Sequence, residues 1–311
     1  MKYAFGVDIG GTTVKMGLLD YEGSIVESWE IPTRTENNGE NILPDIAASI
    51  KAKIEEKGLN KESIAGVGVG APGAVDSNGI IFQAVNIGWG RKNLQEELSQ
   101  LVGLPVKAGN DANVAALGES WKGGGRGHND MLMVTLGTGV GGGIIIGGKI
   151  VNGVAGSGGE IGHIHLEDNE TKRCGCGNKG CFEQYASATG IVLLASRILG
   201  ETDKDSVLRR GQLSSKNIFD AAKAGDEVAN EITKKFGYYL GKGLATCATI
   251  LNPEVIVIGG GVSKCGEVLF DLLKPSFDKY VFGGCRDTEF ALAELGNDAG
   301  ICGAAKLILG D

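Results

Sequence analysis

The chain has 311 residues, which suits about two domains, and 42% of them are hydrophobic, ample for buried cores. A formal net charge of −8 with no basic patch argues against a nucleic-acid partner, and no apolar run reaches the ~18 residues of a membrane span. Seven cysteines, an odd number not spread as a disulfide framework, point to a reducing cytoplasm.

Residues 3–9 (YAFGVDI), 13–19 (TVKMGLL) and 24–30 (SIVESWE) predict three strands, with turns at Gly10-Gly11-Thr12 and Tyr21-Glu22-Gly23. The strand pattern begins at once, without a signal-peptide apolar region, so no secretion leader is expected. Ile42, Ile46, Ile50 and Ile54 predict a helix near 39–57, ended by Gly58. Residues 64–70 read as a strand entering Ala71-Pro72-Gly73. Residues 105–109 lead to a further turn, and Asn110-Asp111 opens a helix of about eight residues. The opening pattern then recurs in 131–136, 142–146 and 148–152, and Thr135-Leu136-Gly137-Thr138-Gly139 echoes Asp8-Ile9-Gly10-Gly11-Thr12. A long helical region is expected over 187–251, then a strand at 254–258 ending in Gly259-Gly260-Gly261. A last strand near 288–293 and a helix from 298 to 309 complete a duplicated β-β-β-α pattern. Its two halves are expected to face each other across a cleft, a preferred place for ligands.

The 53 glycines are the compositional outlier, against about 22 at ordinary usage. They gather where apolar runs stop, as if backbone were brought close to a ligand in several turns. Two stretches fit G-x-G-x-x-G, Gly68 to Gly73 and Gly137 to Gly142, but neither precedes a helix, so the dinucleotide-binding reading fails. Gly143 to Gly148 followed by Lys149 resembles a P-loop, but Ile150 stands where that motif needs a hydroxyl. The turns at Asp8–Thr12 and Leu136–Gly139 instead offer bare amides and hydroxyls that can cradle a polyphosphate. Asp8 is placed to hold Mg²⁺ through water, and Lys15 adds positive charge. Simple tight hairpins are the alternative.

The stretch Glu160–Glu183 holds two of the three histidines and three of the seven cysteines. His163, Cys174, Cys176 and Cys181 supply an imidazole and three thiols, a donor set suited to a closed tetrahedral zinc site. Thiols without metal, in a redox relay or as free core groups, are the alternative. His165, two residues on, rivals His163 as the fourth ligand. Glu160 and Glu183 bracket the cluster and are not needed as ligands.

These motifs together resemble the ROK family of bacterial sugar kinases, within the hexokinase/actin-like superfamily. The resemblance rests on Asp8-Ile9-Gly10-Gly11-Thr12, Gly70-Ala71-Pro72-Gly73, Asn110-Asp111-Ala112-Asn113, Leu136-Gly137-Thr138-Gly139-Val140-Gly141 and Gly159-Glu160-Ile161-Gly162-His163. It extends to Cys174-Gly175-Cys176-Gly177 with Cys181 and Glu183, to Gly259-Gly260-Gly261-Val262, and to Ala299-Gly300…Gly303-Ala304-Ala305. It implies an α/β duplicated ribonuclease H-like (actin-like ATPase) fold of two lobes with a cleft. The expected smaller lobe is 1–109 plus 299–311, and the larger is 110–298 with the zinc segment 160–183.

By the resemblance Asp111 is the catalytic base, and Gly70, Asn110, Asp111, Glu160, His163 and Glu183 contact the sugar. Asp8, Gly10, Gly11, Thr12, Lys15, Gly137, Thr138, Gly139, Gly260 and Gly261 take ATP with Mg²⁺. His163 also joins Cys174, Cys176 and Cys181 on a structural Zn²⁺ that fixes the sugar-binding loop. One imidazole can do both, since its two nitrogens are distinct. Read alone, Asp111 would be a helix N-cap, whose position favours the anion.

The expected reaction is ATP-dependent phosphorylation of a hexose, glucose first, at the 6-hydroxyl. N-acetylmannosamine or another hexose is the rival substrate. A cytoplasmic homodimer or homotetramer is implied. The family also holds sugar-responsive repressors with a DNA-binding module ahead of the kinase-like part. Here the phosphate motif starts at Asp8, so that reading, like a non-catalytic sensor, is not expected. Asn86–Trp89 (NIGW) either touches the sugar or packs. Cys247, Cys265, Cys285 and Cys302 are expected to be core thiols.

Overall fold

A computed structural model describes residues 2–310. The first sheet is built from β1 (Tyr3–Ile9), β2 (Thr13–Asp20), β3 (Ile25–Pro32), β4 (Ile64–Ala71) and β5 (Val106–Asn110), in the order β3-β2-β1-β4-β5. The first three strands are antiparallel, and β4 and β5 add in parallel. β1 is apolar on both faces, with Ala4, Phe5, Val7 and Ile9 buried, as a central strand covered on both sides requires. β3, at one edge, alternates between half-buried and exposed positions.

The second sheet comprises β6 (Met131–Leu136), β7 (Val140–Ile146), β8 (Lys149–Ile150), β9 (Val255–Gly259) and β10 (Glu289–Leu292), in the order β8-β7-β6-β9-β10. Its order repeats that of the first sheet strand for strand, and β9 again runs parallel to its two neighbours. The duplication expected from the turn motifs is therefore a duplication of topology, the paired ribonuclease H-like arrangement of actin-like ATPases.

The α-helices of nine residues or more are α1 (Ile42–Glu56), α2 (Leu94–Val102), α3 (Asp111–Lys122), α4 (Ala188–Glu201), α5 (Ser215–Lys223), α6 (Glu227–Leu251), α7 (Val268–Tyr280) and α8 (Ala299–Leu309). The chain forms two compact units, Met1–Asn129 with Gly143–Gly159 and Ala293–Asp311, and Asp130–Gly142 with Glu160–Leu292. α3 thus belongs to the first unit and not to the C-terminal part where a cut at residue 110 would put it. The cause is its packing on α8. A Cβ at Gly303 would overlap the Val114 carbonyl, and one at Gly118 the Ala299 carbonyl, so the two backbones meet with nothing between.

Other boundaries differ from the sequence reading for local reasons. Residues 106–110 are a fifth strand, not the approach to a turn, and α3 has twelve residues rather than about eight. The region 187–251 is three helices. The segment between α4 and α5 is fixed by Ser206, whose hydroxyl bonds Asp226, and Asp226 in turn caps α6 by accepting from the Ala229 amide at 2.9 Å. α2 and α7 were not anticipated.

Candidate active site and cysteine–histidine cluster

In the first unit, the carboxyl ends of the parallel strands β1, β4 and β5 bring the expected residues into one row. Asp8 pairs with Gly70, Gly70 with Gly109, and Ala71 with Asn110. Strand ends of parallel sheets are where α/β folds place ligand groups. Asn110, not Asp111, is the N-cap of α3: its Oδ1 accepts from the Asn113 amide at 3.2 Å. Its Nδ2 donates to the Gly73 carbonyl at 3.0 Å and to Asp111 Oδ1 at 2.9 Å. Asp111 Oδ1 also accepts from the Ala112 amide at 2.8 Å. The carboxylate is therefore held by two donors at the start of a helix, a fixed acceptor whose geometry is set before any substrate arrives.

Asp8 is half-buried on β1. Burial, and then the charge of Asp111, push its carboxyl up to about 6, against the opposing pull of Lys15. Lys15 is opposite Asp8 in the β1–β2 ladder, with Nζ 3.9 Å from Glu30. Gly300, in the first turn of α8, makes room for Asp8: a Cβ there would be 2.5 Å from Asp8 Oδ2. Sequence reasoning quoted Gly300 within the closing motif but gave it no part in the site. The turn beyond β1 is tied down by the Gly10 amide donating to the Thr13 carbonyl at 3.0 Å and by Thr33 Oγ1 donating to the Gly10 carbonyl at 2.7 Å. Gly11 and Thr12 are exposed at its tip. In the NIGW turn Ile87 and Trp89 are buried, with Trp89 Nε1 donating to the Gly39 carbonyl at 3.1 Å, while Asn86 is exposed.

In the second unit, Gly137, Thr138 and Gly139 follow β6, and Gly260 and Gly261 follow β9, so both turns again leave the carboxyl ends of parallel strands. Gly260 has φ +89°, and a Cβ would be 2.5 Å from the Leu136 carbonyl oxygen, so only glycine lets these two turns pack.

The cysteine–histidine segment converges. One donor atom from each of His163, Cys174, Cys176 and Cys181 lies within 4.8 Å of the others. Cys176 Sγ is 3.7 Å from Cys181 Sγ, and Cys174 Sγ is 3.6 Å from His163 Nδ1. Zinc–sulfur bonds of ≈ 2.3 Å imply a tetrahedral edge of about 3.8 Å, so the donor set fits that ion. His165 is not the fourth donor. Its Nδ1 is 2.9 Å from the Lys179 carbonyl and its Nε2 is 2.8 Å from Asp168. Glu183 Oε1 accepts from the Cys174 thiol at 2.7 Å and lies 3.8 Å from His163 Nδ1, while Glu160 lies 3.9 Å from His163 Nε2. The imidazole thus turns Nδ1 to the thiols and Nε2 to Glu160. All seven cysteines are free thiols.

The segment has a second anchorage that sequence reasoning missed. Glu170, with its side chain only 2% exposed, accepts from Tyr185 Oη at 2.6 Å, from the Lys172 amide at 2.9 Å and from Arg197 Nη2 at 2.7 Å. Burial alone would raise its pKa, but these donors outweigh burial and hold the carboxyl at about 2. Tyr239 Oη donates to Glu167 at 3.1 Å, and Lys242 Nζ to the Leu166 carbonyl at 2.8 Å. A separation of 27 positions between Glu170 and Arg197 carries no spacing signal from which the pair could be read.

The family model that describes the ROK family matches residues 4–311. The chain belongs to the ROK family. It is 45% identical to a glucokinase of Halalkalibacterium halodurans, over 99% of this chain and 95% of that one. It is similar to the solved structure of a ROK family glucokinase from Streptomyces griseus in complex with glucose and AMPPNP, with 38% identity, a TM-score of 0.73 and 98% of each chain covered. It is also similar to a ROK hexokinase from Thermus thermophilus, with 31% identity, a TM-score of 0.82 and 98% and 97% covered. Among the described residues, no helix of this ROK chain is long and apolar enough to cross a membrane.

Proposed function

We propose that this chain is a sugar kinase that transfers the γ-phosphoryl group of ATP to the 6-hydroxyl of glucose. The observation that carries the reading is full-length similarity to ROK glucokinases, joined to a carboxylate, Asp111, pinned at the end of a parallel strand beside Asp8. Phosphoryl transfer needs an acceptor hydroxyl held in line, donors for the charge on the phosphoryl oxygens, and a carboxylate to take the proton. Asp111 orients the 6-hydroxyl and accepts its proton as the oxygen bonds to the γ-phosphorus, and the bond to the β–γ bridging oxygen breaks to release ADP. Asn110, Glu160, His163 and Glu183 hold the sugar hydroxyls, and Gly70 leaves space beside Asp111.

The turns Gly10-Gly11-Thr12, Gly137-Thr138-Gly139 and Gly260-Gly261 receive the nucleotide through backbone amides and hydroxyls, with Lys15 adding charge. Asp8 is placed to hold a water of Mg²⁺, which neutralises phosphate charge when bound. His163, Cys174, Cys176 and Cys181 would hold Zn²⁺, whose part would be to fix Glu160, His163 and Glu183 rather than to react.

The deciding experiment is a coupled ADP-release assay with Mg-ATP against glucose, mannose, fructose, N-acetylglucosamine and N-acetylmannosamine, with Asp111→Ala as control. A preference for glucose, lost in the variant, is the expected result. Turnover with an N-acetyl sugar alone would overturn the substrate, and none with any sugar would overturn the reaction.

A further inference from the structure

The turn that follows β6 has two limbs with different surroundings. The Gly137 amide donates to the Gly139 carbonyl at 3.0 Å and closes it, with Thr138 exposed at the tip. On the first limb, a Cβ at Gly137 would meet no described atom within 4 Å beyond its chain neighbours. On the second, a Cβ at Gly139 would overlap Glu183 Oε2, and Glu183 is the one described residue it would meet within 4 Å beyond its chain neighbours. Neither glycine has a positive φ, so backbone conformation does not require glycine at either position. At Gly139 the missing side chain is an opening for one particular carboxylate.

The second limb meets the proposed sugar-binding run again one residue on. A Cβ at Gly162 would overlap the Val140 carbonyl oxygen, so the stretch from Glu160 to His163 lies on the backbone that follows Gly139. Glu183 opens the short helix Glu183–Ala186 and is half-buried, with Oε1 accepting from the Cys174 thiol at 2.7 Å and lying 3.8 Å from His163 Nδ1. Just beyond that helix, the Ala188 amide donates to the Gly137 carbonyl at 2.8 Å. Residues 183–188 therefore touch the turn at both of its limbs, and all of these residues belong to the second compact unit.

We propose that Gly139 is a positioning residue for the sugar: its lack of a side chain sets where Glu183 holds its carboxylate. The turn is divided in its work. Gly137 and Thr138 face open space, where a phosphate can lie, and Gly139 is closed against a sugar-binding group. The backbone amide that a turn offers to phosphate is present in every residue but proline, so phosphate recognition alone does not ask for glycine at 139. The carboxylate of Glu183 does. This deepens the proposed function and rests on its placing of the sugar at Glu183.

Isothermal titration calorimetry on the full chain, supplied with Zn²⁺, tests the division, with glucose alone and Mg-AMPPNP alone as probes. In Gly139→Ala the methyl pushes the Glu183 carboxylate aside, and glucose affinity falls at least ~10-fold, as loss of a charge-assisted hydrogen bond implies. AMPPNP affinity is unchanged, which also shows that the variant is folded. In Gly137→Ala the order reverses: AMPPNP binds more weakly and glucose as in the wild type. In a Glu183→Ala background, Gly139→Ala has no further effect on glucose, as a single shared contact requires. A Gly139→Ala protein that binds glucose like the wild type overturns the inference and leaves the proposed function intact. Loss of both ligands, or an equal loss of glucose in the Glu183→Ala background, also overturns it, since the methyl would then act through the turn as a whole. A wild type that binds AMPPNP but no sugar overturns the proposed function, and the inference with it.

Discussion

Asp8 and Asp111 are placed by regular secondary structure. From Ala4 onward β1 keeps one parallel register with β4, as β4 does with β5, Val7 and Ile9 beside Asp8 are buried, and Asp111 opens the helix that follows β5. The segment from Glu160 to Glu183 has almost no ladder of its own. Its regular pairing is confined to isolated bridges, His165 with Cys181 and Arg173 with Lys179. Its shape comes from side chains: three thiols and an imidazole that converge, and Glu170, Glu167 and the Leu166 carbonyl bonded to Arg197, Tyr185, Tyr239 and Lys242. Geometry set by a ladder survives loss of one side chain. Geometry set by ligands and ion pairs does not. Substitutions in the two regions should therefore separate activity from stability in opposite ways.

The largest effect is expected from metal removal. Structural zinc in small peptides contributes on the order of 10 kcal/mol of binding free energy, and here four side chains converge with little backbone to replace it. Chelation, or Cys181→Ser, should release zinc, lower the melting temperature and raise KM for glucose together. Elemental analysis of freshly purified protein is the direct check, and a metal-free preparation with normal KM would refute the role. By contrast, Asp111→Ala should reduce kcat at least ~100-fold, the low end for a general base. Its melting temperature should hardly move, because β5 and the Asn110 cap remain. A variant that lost both activity and fold would erase the contrast.

The second anchorage gives a smaller and pH-dependent effect. Arg197→Met removes the guanidinium from a buried carboxylate and should cost about 2–3 kcal/mol, below the full range for breaking a buried pair because Arg197 reaches solvent. Glu170 titrates at about 2 in the fold against an ordinary 4.5. A depressed carboxyl stabilises fully above the unfolded value, and the contribution is lost as pH falls from about 4.5 toward 2. In Arg197→Met the folded value rises toward the unfolded one, so the stability gap between the two proteins should be widest near neutral pH and narrow as pH falls below about 4.5. Urea melts of both proteins between pH 3 and 7 measure this, and parallel curves would show that the pair adds nothing.

The same contrast explains what could be read from sequence. Strand-turn repeats such as YAFGVDIGGT and MLMVTLGTG carry their periodicity and their glycines in one short window, so the opening strands of both sheets and both glycine turns were legible. The four cysteine–histidine donors also lie close in sequence, and their residue types name the metal chemistry. The choice of His163 over His165 was not legible, because it depends on Lys179 and Asp168 occupying the second imidazole. Nor was the Glu170–Arg197 pair, or Gly300 beside Asp8, since partners 27 and 292 residues apart leave no local pattern. The packing of α3 on α8 through Gly118 and Gly303 is of this kind as well.

Asp8 sharpens the comparison from the ladder side. Burial and Asp111 raise its folded value to about 6, above an ordinary 3.8. A raised carboxyl favours the protonated fold: the contribution is fully present below about pH 3.8 and is lost as pH rises through about 6. At pH 8 the ionised group is therefore a stability cost, which its proposed place beside Mg-ATP would justify. Asp8→Asn should melt a few degrees higher than wild type at pH 8, with the gap closing toward pH 5, while KM for Mg-ATP rises. Thermal melts at the two pH values, without nucleotide, read the first effect, and initial rates read the second. A variant that melts lower at pH 8 would mean that the Asp8 anion is already satisfied in the empty fold, and the reason for burying it beside Asp111 would have to be sought in the strand rather than in the nucleotide.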